Sequence, residues 1–501
     1  MSGLRFAWLI ALAYALLYAV LGAVRYATFH AGSDLGLFTQ AIASAAAGMR
    51  DTPEGGSHFT YHFSPVLALF APPLLAFHSP LVLVAIQALA GALVVPPLYL
   101  IARRRFSERL ALGVGALAAV YPPLAGVTFA DFHENGLVPA ATVWLLWAVD
   151  ARRWGWAAAA LAIVLSIKED QAPIVGFAAL CGLAFYARRR DRVGLQFCAA
   201  ALVAAAAVFV LFFGVVRPLA GARGGWSPEH FYNWGGRDTG ATPWYSIGRP
   251  AYVLEALVPL AFACCVSPAF VLALPGFAED VLSHDSITYT MGQHYAAVWI
   301  PYLLFAWVLG VARLHARTPA VARNFVRAAW ALSLAILVFA SPTHWGHYLR
   351  LPNRHDAELA HFLARLPPEL AVGTSDDLFA HLGFDPNAQL GLERDPPYAL
   401  FAQPSQSALA LRWLPVVERG VADGRYRVVR ERDGIALYER ESAAGGRRSS
   451  APGRRAPYGR VVVCGRGHEQ ECGQDGRRAG LARGACARGC APGARFERAR
   501  R

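Results

Sequence analysis

Asp34, His62, the run Asp131-Phe132-His133-Glu134, the triplet Lys168-Glu169-Asp170 and the pair His294-Tyr295 place carboxylates, imidazoles and one amine beside long apolar runs. Such groups are the material of acid–base or metal-assisted chemistry, and charged groups at the edge of an apolar layer are costly unless paired or functional. Lys168 stands out, because Lys and Arg total 47 and every other one is Arg. A compact, titratable ammonium suits a phosphate contact; an ion pair with Glu169 or Asp170 suits the position equally. Asp34 lies between Gly32 and Gly36, as a functional acid or as an N-cap of a helix over 35–47. Asp131 and Glu134 stand three apart, so they can share a helical face as a carboxylate pair or, with His133, as a divalent-ion site. His62 and His133 also read as plain interfacial histidines.

The elements that must position these groups are membrane spans. Of 501 residues 55% are hydrophobic and 16% charged, with a mean hydropathy of +0.34; a soluble domain carries about a quarter charged residues. A polytopic, mostly α-helical membrane protein is expected. Apolar runs at 6–24, 81–102, 110–129, 137–149, 154–167, 171–187, 193–216, 251–264, 266–277, 295–312 and 325–340 predict about eleven crossings. The run at 64–78, broken by Pro72 and Pro73, predicts a re-entrant or interfacial piece. With the N-terminus cytoplasmic, 15 basic loop residues fall inside and 7 outside, which sets the orientation. The acids and histidines named above then collect on the outer face.

Residues 343–442 change character and predict a small extracytoplasmic α/β domain after a membrane domain over 1–342. Leu359, Phe362, Leu363 and Leu366 mark an amphipathic helix over 356–366, strands are expected at 370–372, 426–429 and 435–438, and Asp433-Gly434 predicts a hairpin between the last two. Residues 443–501 hold fourteen Arg against four acids, ten of the net +13, so the basic charge is mainly a tail property and no nucleic-acid partner is expected. That Arg- and Gly-rich tail predicts disorder. Its Cys464, His468, Cys472, Cys486 and Cys490 fit no standard zinc spacing.

The ordered set Asp34-Leu35-Gly36-Leu37-Phe38-Thr39-Gln40, His62-Phe63-Ser64-Pro65, Gln87, Tyr121-Pro122, Asp131-Phe132-His133, Lys168-Glu169-Asp170 and His294-Tyr295 resembles the membrane family called domain of unknown function 2079, over about residues 5 to 440. That family is similar to the GT-C glycosyltransferases of the cell envelope. The resemblance implies a hexosyltransferase of the plasma (inner) membrane, taking sugar from a polyprenyl-phosphate donor at the outer face and giving it to a glycan, lipid or protein acceptor. It implies Asp34 as catalytic base, substrate contacts from Gln40, His62, Lys168, Glu169, Asp170, His294 and Tyr295, and a divalent metal ion (Mg or Mn) at Asp131, His133 and Glu134. The first loop shows one clear acid where GT-C enzymes often carry an adjacent pair. A transporter or flippase for an anionic lipid or solute is the alternative. Transporters tend to hold their charges at the membrane midplane on broken helices, whereas these sit at span ends.

Overall fold

The first apolar run folds as one 25-residue helix, α1 (Gly3–Ala27), about 37 Å long at 1.5 Å per residue. Ala7, Ala11, Tyr14 and Tyr18 recur at helical spacing and are buried, while Leu9, Leu12, Leu16 and Val20 stay exposed, as a lipid-facing stripe requires. The computed structural model describes residues 2–221, 232, 246–367, 370–405 and 407–441. The tail from 443, with its cysteines, lies outside them.

The chain is mostly helical. Five described helices are long and apolar enough to cross a membrane: α1, Leu81–Arg103, Gln171–Arg188, Arg192–Leu219 and Pro319–Phe339. A sixth arises if Glu108–Val120 and Pro122–Phe129, bent by 45°, count as one span. The bend falls at Tyr121, held extended by the proline after it.

The other runs expected to cross fold as shorter or more deeply buried pieces. Val138–Asp150 and Trp154–Leu165 have 13 and 12 residues, about 20 Å against a hydrocarbon layer of about 30 Å. Ile300–Arg317 packs inside the bundle, with Leu303, Leu304, Trp307 and Val308 without exposed surface. The 251–277 region forms a helical hairpin. Gly248–Leu257 and a 3₁₀ turn lead to left-handed Ala261 and Phe262, and the chain returns through Pro268–Ala273 and Leu274–Val281. Gly310 seats this turn, since a Cβ there would meet the Ala263 carbonyl oxygen at 1.9 Å. The 64–78 run forms a short apolar helical piece, Pro65–Phe77.

Between the spans, α2 (Ser33–Ala43) is followed by a small hairpin of β1 (Arg50–Asp51) and β2 (Gly56–Ser57). The C-terminal residues build a five-stranded sheet from β3 (Val372–Thr374), β4 (Gln389–Leu390), β5 (Tyr398–Ala402), β6 (Tyr426–Arg432) and β7 (Ile435–Arg440). Its order is β4-β3-β5-β7-β6; β3 runs parallel to β4 and β5, and β7 antiparallel to β5 and β6. Arg432 pairs with Ile435 across Asp433 and Gly434, both at positive φ, the geometry of a tight type I′ hairpin. Leu359 and Phe362 of the helix Arg354–Leu363, opened by an Asn353 capping box, pack on one face of the sheet against Val372, Leu400 and Leu437. Leu414 and Val417 of the helix Ala408–Ala422 pack on the other against Phe401 and Tyr438.

This unit is seated on α2. A Cβ at Gly36 would stand 2.6 Å from the Phe379 carbonyl oxygen, so glycine is what allows the approach. Gln40, expected to touch substrate, is a strut in this joint. It is buried, its Nε2 donates to Asp385 O (2.7 Å) and Ala388 O (3.1 Å), and its Oε1 accepts from Thr52 N (2.9 Å).

Candidate functional site

Asp34 is the second residue of α2, with Gly32 in the N-cap position, so it is not the cap. A brace built from the preceding span fixes this helix start. Arg25 donates to His30 O (2.8 Å), Phe129 O (2.9 Å) and Asp131 Oδ2 (3.0 Å), and Asp131 Oδ1 accepts the Gly32 N–H at 2.9 Å. Asp131 is therefore consumed by the brace and stands apart from the metal set in which it was expected. Gln87 performs the matching task for the next loop: its Nε2 donates to Val127, Ala130 and Asp131 carbonyls and its Oε1 accepts from His133 N.

Asp34, His62, His133, Lys168, Glu169, Asp170, His294 and Tyr295 all line one cavity of about 580 Å³, within the range of small-molecule sites. Four separate loops and the start of α2 supply them. Leu37, Ile174, Phe209, Phe213 and Leu282 line the cavity as well, so it joins a polar cluster to an apolar wall. Gln40, Asp131 and Glu134 are not among its lining residues. Glu54, Tyr232, Glu279 and Asp280 are, and sequence spacing did not single them out. Glu279-Asp280 was legible only as acid near a span end, and Glu54 only as part of a turn. Asp280 accepts from Tyr252 Oη (2.6 Å) and Trp299 Nε1 (2.9 Å), which makes it a buried anchor.

The electrostatics follow from burial and crowding. Asp34 keeps 40% of its side-chain surface accessible, yet that surface faces the cavity. Desolvation, with Asp131, Glu134 and Asp376 nearby, pushes its carboxyl up to about 7. Lys168 lies 3.7 Å from both Glu134 Oε1 and Asp170 Oδ2. Burial opposes its charge, but Asp170, Glu134 and Glu169 together outweigh that and hold the amine protonated. Burial raises Asp170 to about 6 despite Lys168. Glu169 resists its own burial because His62 (Nδ1 at 2.8 Å), Lys168 and the Phe63 N–H hold it down at about 2. Burial, then Asp170 and Asp280, lifts Glu279 well above the carboxylate range.

His133 and His294 stack with ring centroids 3.5 Å apart, and burial depresses both well below the ordinary imidazole value. Neutral imidazole is the metal-binding form. One donor atom each from Asp34, His133 and His294 lies within 4.8 Å of the others. The donor set that tertiary structure assembles is thus this trio, with His133 drawn away from Asp131. Glu134 remains beside His133 (Nδ1–Oε2 3.2 Å), fully buried and facing Lys168. Two imidazoles with one carboxylate suit Mn better than Mg, which prefers oxygen ligands.

Residues 25–390 match the family described as Predicted membrane protein (DUF2079). The chain belongs to this family. The DUF2079 chain also resembles solved structures of ArnT from Cupriavidus metallidurans. The form bound to undecaprenyl phosphate has a TM-score of 0.53 at 14% identity, covering 88% of this chain and 99% of that one. The apo form gives 0.50 at 14% identity, covering 85% and 98%. Archaeal oligosaccharyltransferase AglB from Archaeoglobus fulgidus, in complex with an inhibitory peptide and a dolichol-phosphate, gives 0.44 at 13% identity, covering 87% and 74%. These neighbours are GT-C fold glycosyltransferases. At such identity the likeness is one of fold. No curated protein matches the chain.

Proposed function

We propose that this DUF2079 protein is a plasma-membrane glycosyltransferase that moves a sugar from a polyprenyl-phosphate donor to an acceptor hydroxyl of the cell envelope, at the outer face of the membrane. The observation that carries this is the single cavity in which a carboxylate of raised pKa, Asp34, shares space with Lys168 and with the apolar Ile174, Phe209 and Phe213. Asp34 takes the proton of the acceptor hydroxyl. The oxygen attacks the anomeric carbon, the bond from that carbon to the phosphate oxygen breaks, and polyprenyl phosphate leaves with the electron pair. One base and one direct displacement invert the anomeric centre. Lys168 and His62 offset charge on the departing phosphate, while the apolar wall admits the first isoprene units.

Among the described residues the cavity carries more acids than cations, so a phosphate dianion there calls for further positive charge. His133 and His294, stacked beside Asp34, would hold a divalent ion through their neutral imidazoles, whose chemistry would be to neutralise phosphate oxygens while Asp34 stays free as the base.

The test is transfer of radiolabelled sugar from a panel of polyprenyl-phosphate sugars, by membranes holding equal amounts of wild type, Asp34→Asn and Lys168→Ala. Transfer by the wild type and its loss in Asp34→Asn support the reading. Robust transfer by Asp34→Asn removes that residue from the chemistry, and no transfer across a broad panel favours transport.

A further inference from the structure

The hairpin that follows α2 carries a second cluster of chemistry-bearing side chains. β1 and β2 pair with Arg50 opposite Ser57 and Asp51 opposite Gly56. Across the turn, Asp51 Oδ1 accepts the Glu54 N–H at 2.7 Å, and Glu54 Oε2 lies 3.0 Å from His58 Nδ1. One donor atom from each of Asp51, Glu54 and His58 falls within 4.8 Å of the other two. Donor atoms around a four-coordinate zinc ion stand about 3.3 Å apart, so modest side-chain movement closes the set.

Two further observations make this more than an acidic turn. Asp51 is 6% exposed and His58 0%, and Asp51 Oδ2 is buried with no hydrogen-bond partner among the described residues. A buried polar atom left unpaired is costly. Asp51 also lacks a counter-cation of its own among the described residues. The only ion pair recorded for these three groups among the described residues is the internal one between His58 and Glu54. Arg394 reaches the same turn but donates to the Thr52 and Pro53 carbonyls, not to a carboxylate. A divalent ion at this point supplies that counter-cation.

We propose that Asp51, Glu54 and His58 bind a divalent cation of the borderline class, Zn or Mn, as a structural clip distinct from the Asp34–His133–His294 set. Three ligands within eight residues of one hairpin need little chain ordering to meet. The clip spans two joints. Glu54 lines the main cavity, while Thr52 in the same turn donates its N–H to Gln40 Oε1 and its hydroxyl to the Ala388 carbonyl beneath the C-terminal sheet. The ion therefore holds the cavity wall and the seat of that unit in one arrangement.

The experiment uses the full chain purified in detergent, stripped with EDTA, and titrated with Zn or Mn alone, with bound metal counted by elemental analysis. The background is Asp34→Asn/His294→Gln, which disables the other donor set. That variant is expected to retain one equivalent of metal and to melt several degrees higher when it is added. Adding Asp51→Asn and His58→Gln is expected to remove both the equivalent and the shift while elution stays monodisperse. Glu54→Gln alone, a milder change, is expected to weaken binding at least tenfold. No metal and no thermal shift in the first background, or metal content unchanged by the added substitutions, overturns the proposal. Sugar transfer plays no part in the readout, so its outcome is separate from that of the proposed activity.

Discussion

The ammonium of Lys168 lies 3.7 Å from Oε1 of Glu134, a carboxylate with no exposed surface. Neither Glu134 oxygen has a hydrogen-bond partner among the described residues, so Lys168 is its principal counter-charge. Lys168→Met is therefore expected to strand a buried anion and cost about 3–5 kcal/mol. Lys168→Met/Glu134→Gln is expected to recover most of that loss and remain inactive in transfer. Thermal melts in detergent beside transfer assays check both halves. Full activity in the stable double variant would remove Lys168 from phosphate binding.

Asp34 sits at about 7 because of burial and the acids around it. Below that value it holds a proton and cannot accept another. Transfer is expected to rise about tenfold per pH unit below pH 6 and to level above about pH 8. A pH profile flat between 5 and 8, measured with sub-saturating donor, contradicts the assignment.

Arg25 ties Asp131 to the start of α2. Arg25→Met leaves the Asp131 carboxylate without its partner and is expected to lower stability by about 3 kcal/mol. It should reduce kcat more than it raises the donor KM, because it moves Asp34 without touching the apolar wall. Kinetics on equalised membranes test this, and an unchanged kcat would count against the brace.

Gln40 joins α2 to the C-terminal unit through two hydrogen bonds, and to Thr52 of the β1–β2 turn through its Oε1. Gln40→Leu takes one donor from each of the Asp385 and Ala388 carbonyls and the acceptor from the Thr52 N–H, at a cost of about 2–3 kcal/mol. Limited proteolysis is expected to cut between 343 and 400 several times faster in this variant, and equal cutting rates would show that the joint tolerates the loss.

Much of this architecture was legible from residue pattern, because long apolar stretches and a two-residue turn are local signals. The α1 span needs only a run of apolar side chains, and the Asp433-Gly434 hairpin needs only two residues that accept positive φ. Strand β5 escaped notice for a physical reason. Tyr398–Ala402 is buried on both faces, Ala399 and Phe401 under one helix and Leu400 and Ala402 under another, so it lacks polar alternation. The short pieces at 251–281 escaped as well, since apolar composition does not reveal where prolines and left-handed residues break a helix.

The candidate site divides along the same line. Sequence by itself determined which residue types stand at span ends: one lysine, Asp34, and the paired acids and histidines. Only tertiary structure decided their partners. Asp131, adjacent in sequence to Phe132 and His133, turns toward Arg25, whereas His133 stacks on His294 from 161 residues away. Gln40 faces the C-terminal unit and not the cavity. Side-chain direction and burial depend on which elements pack together, and no spacing along one chain encodes that.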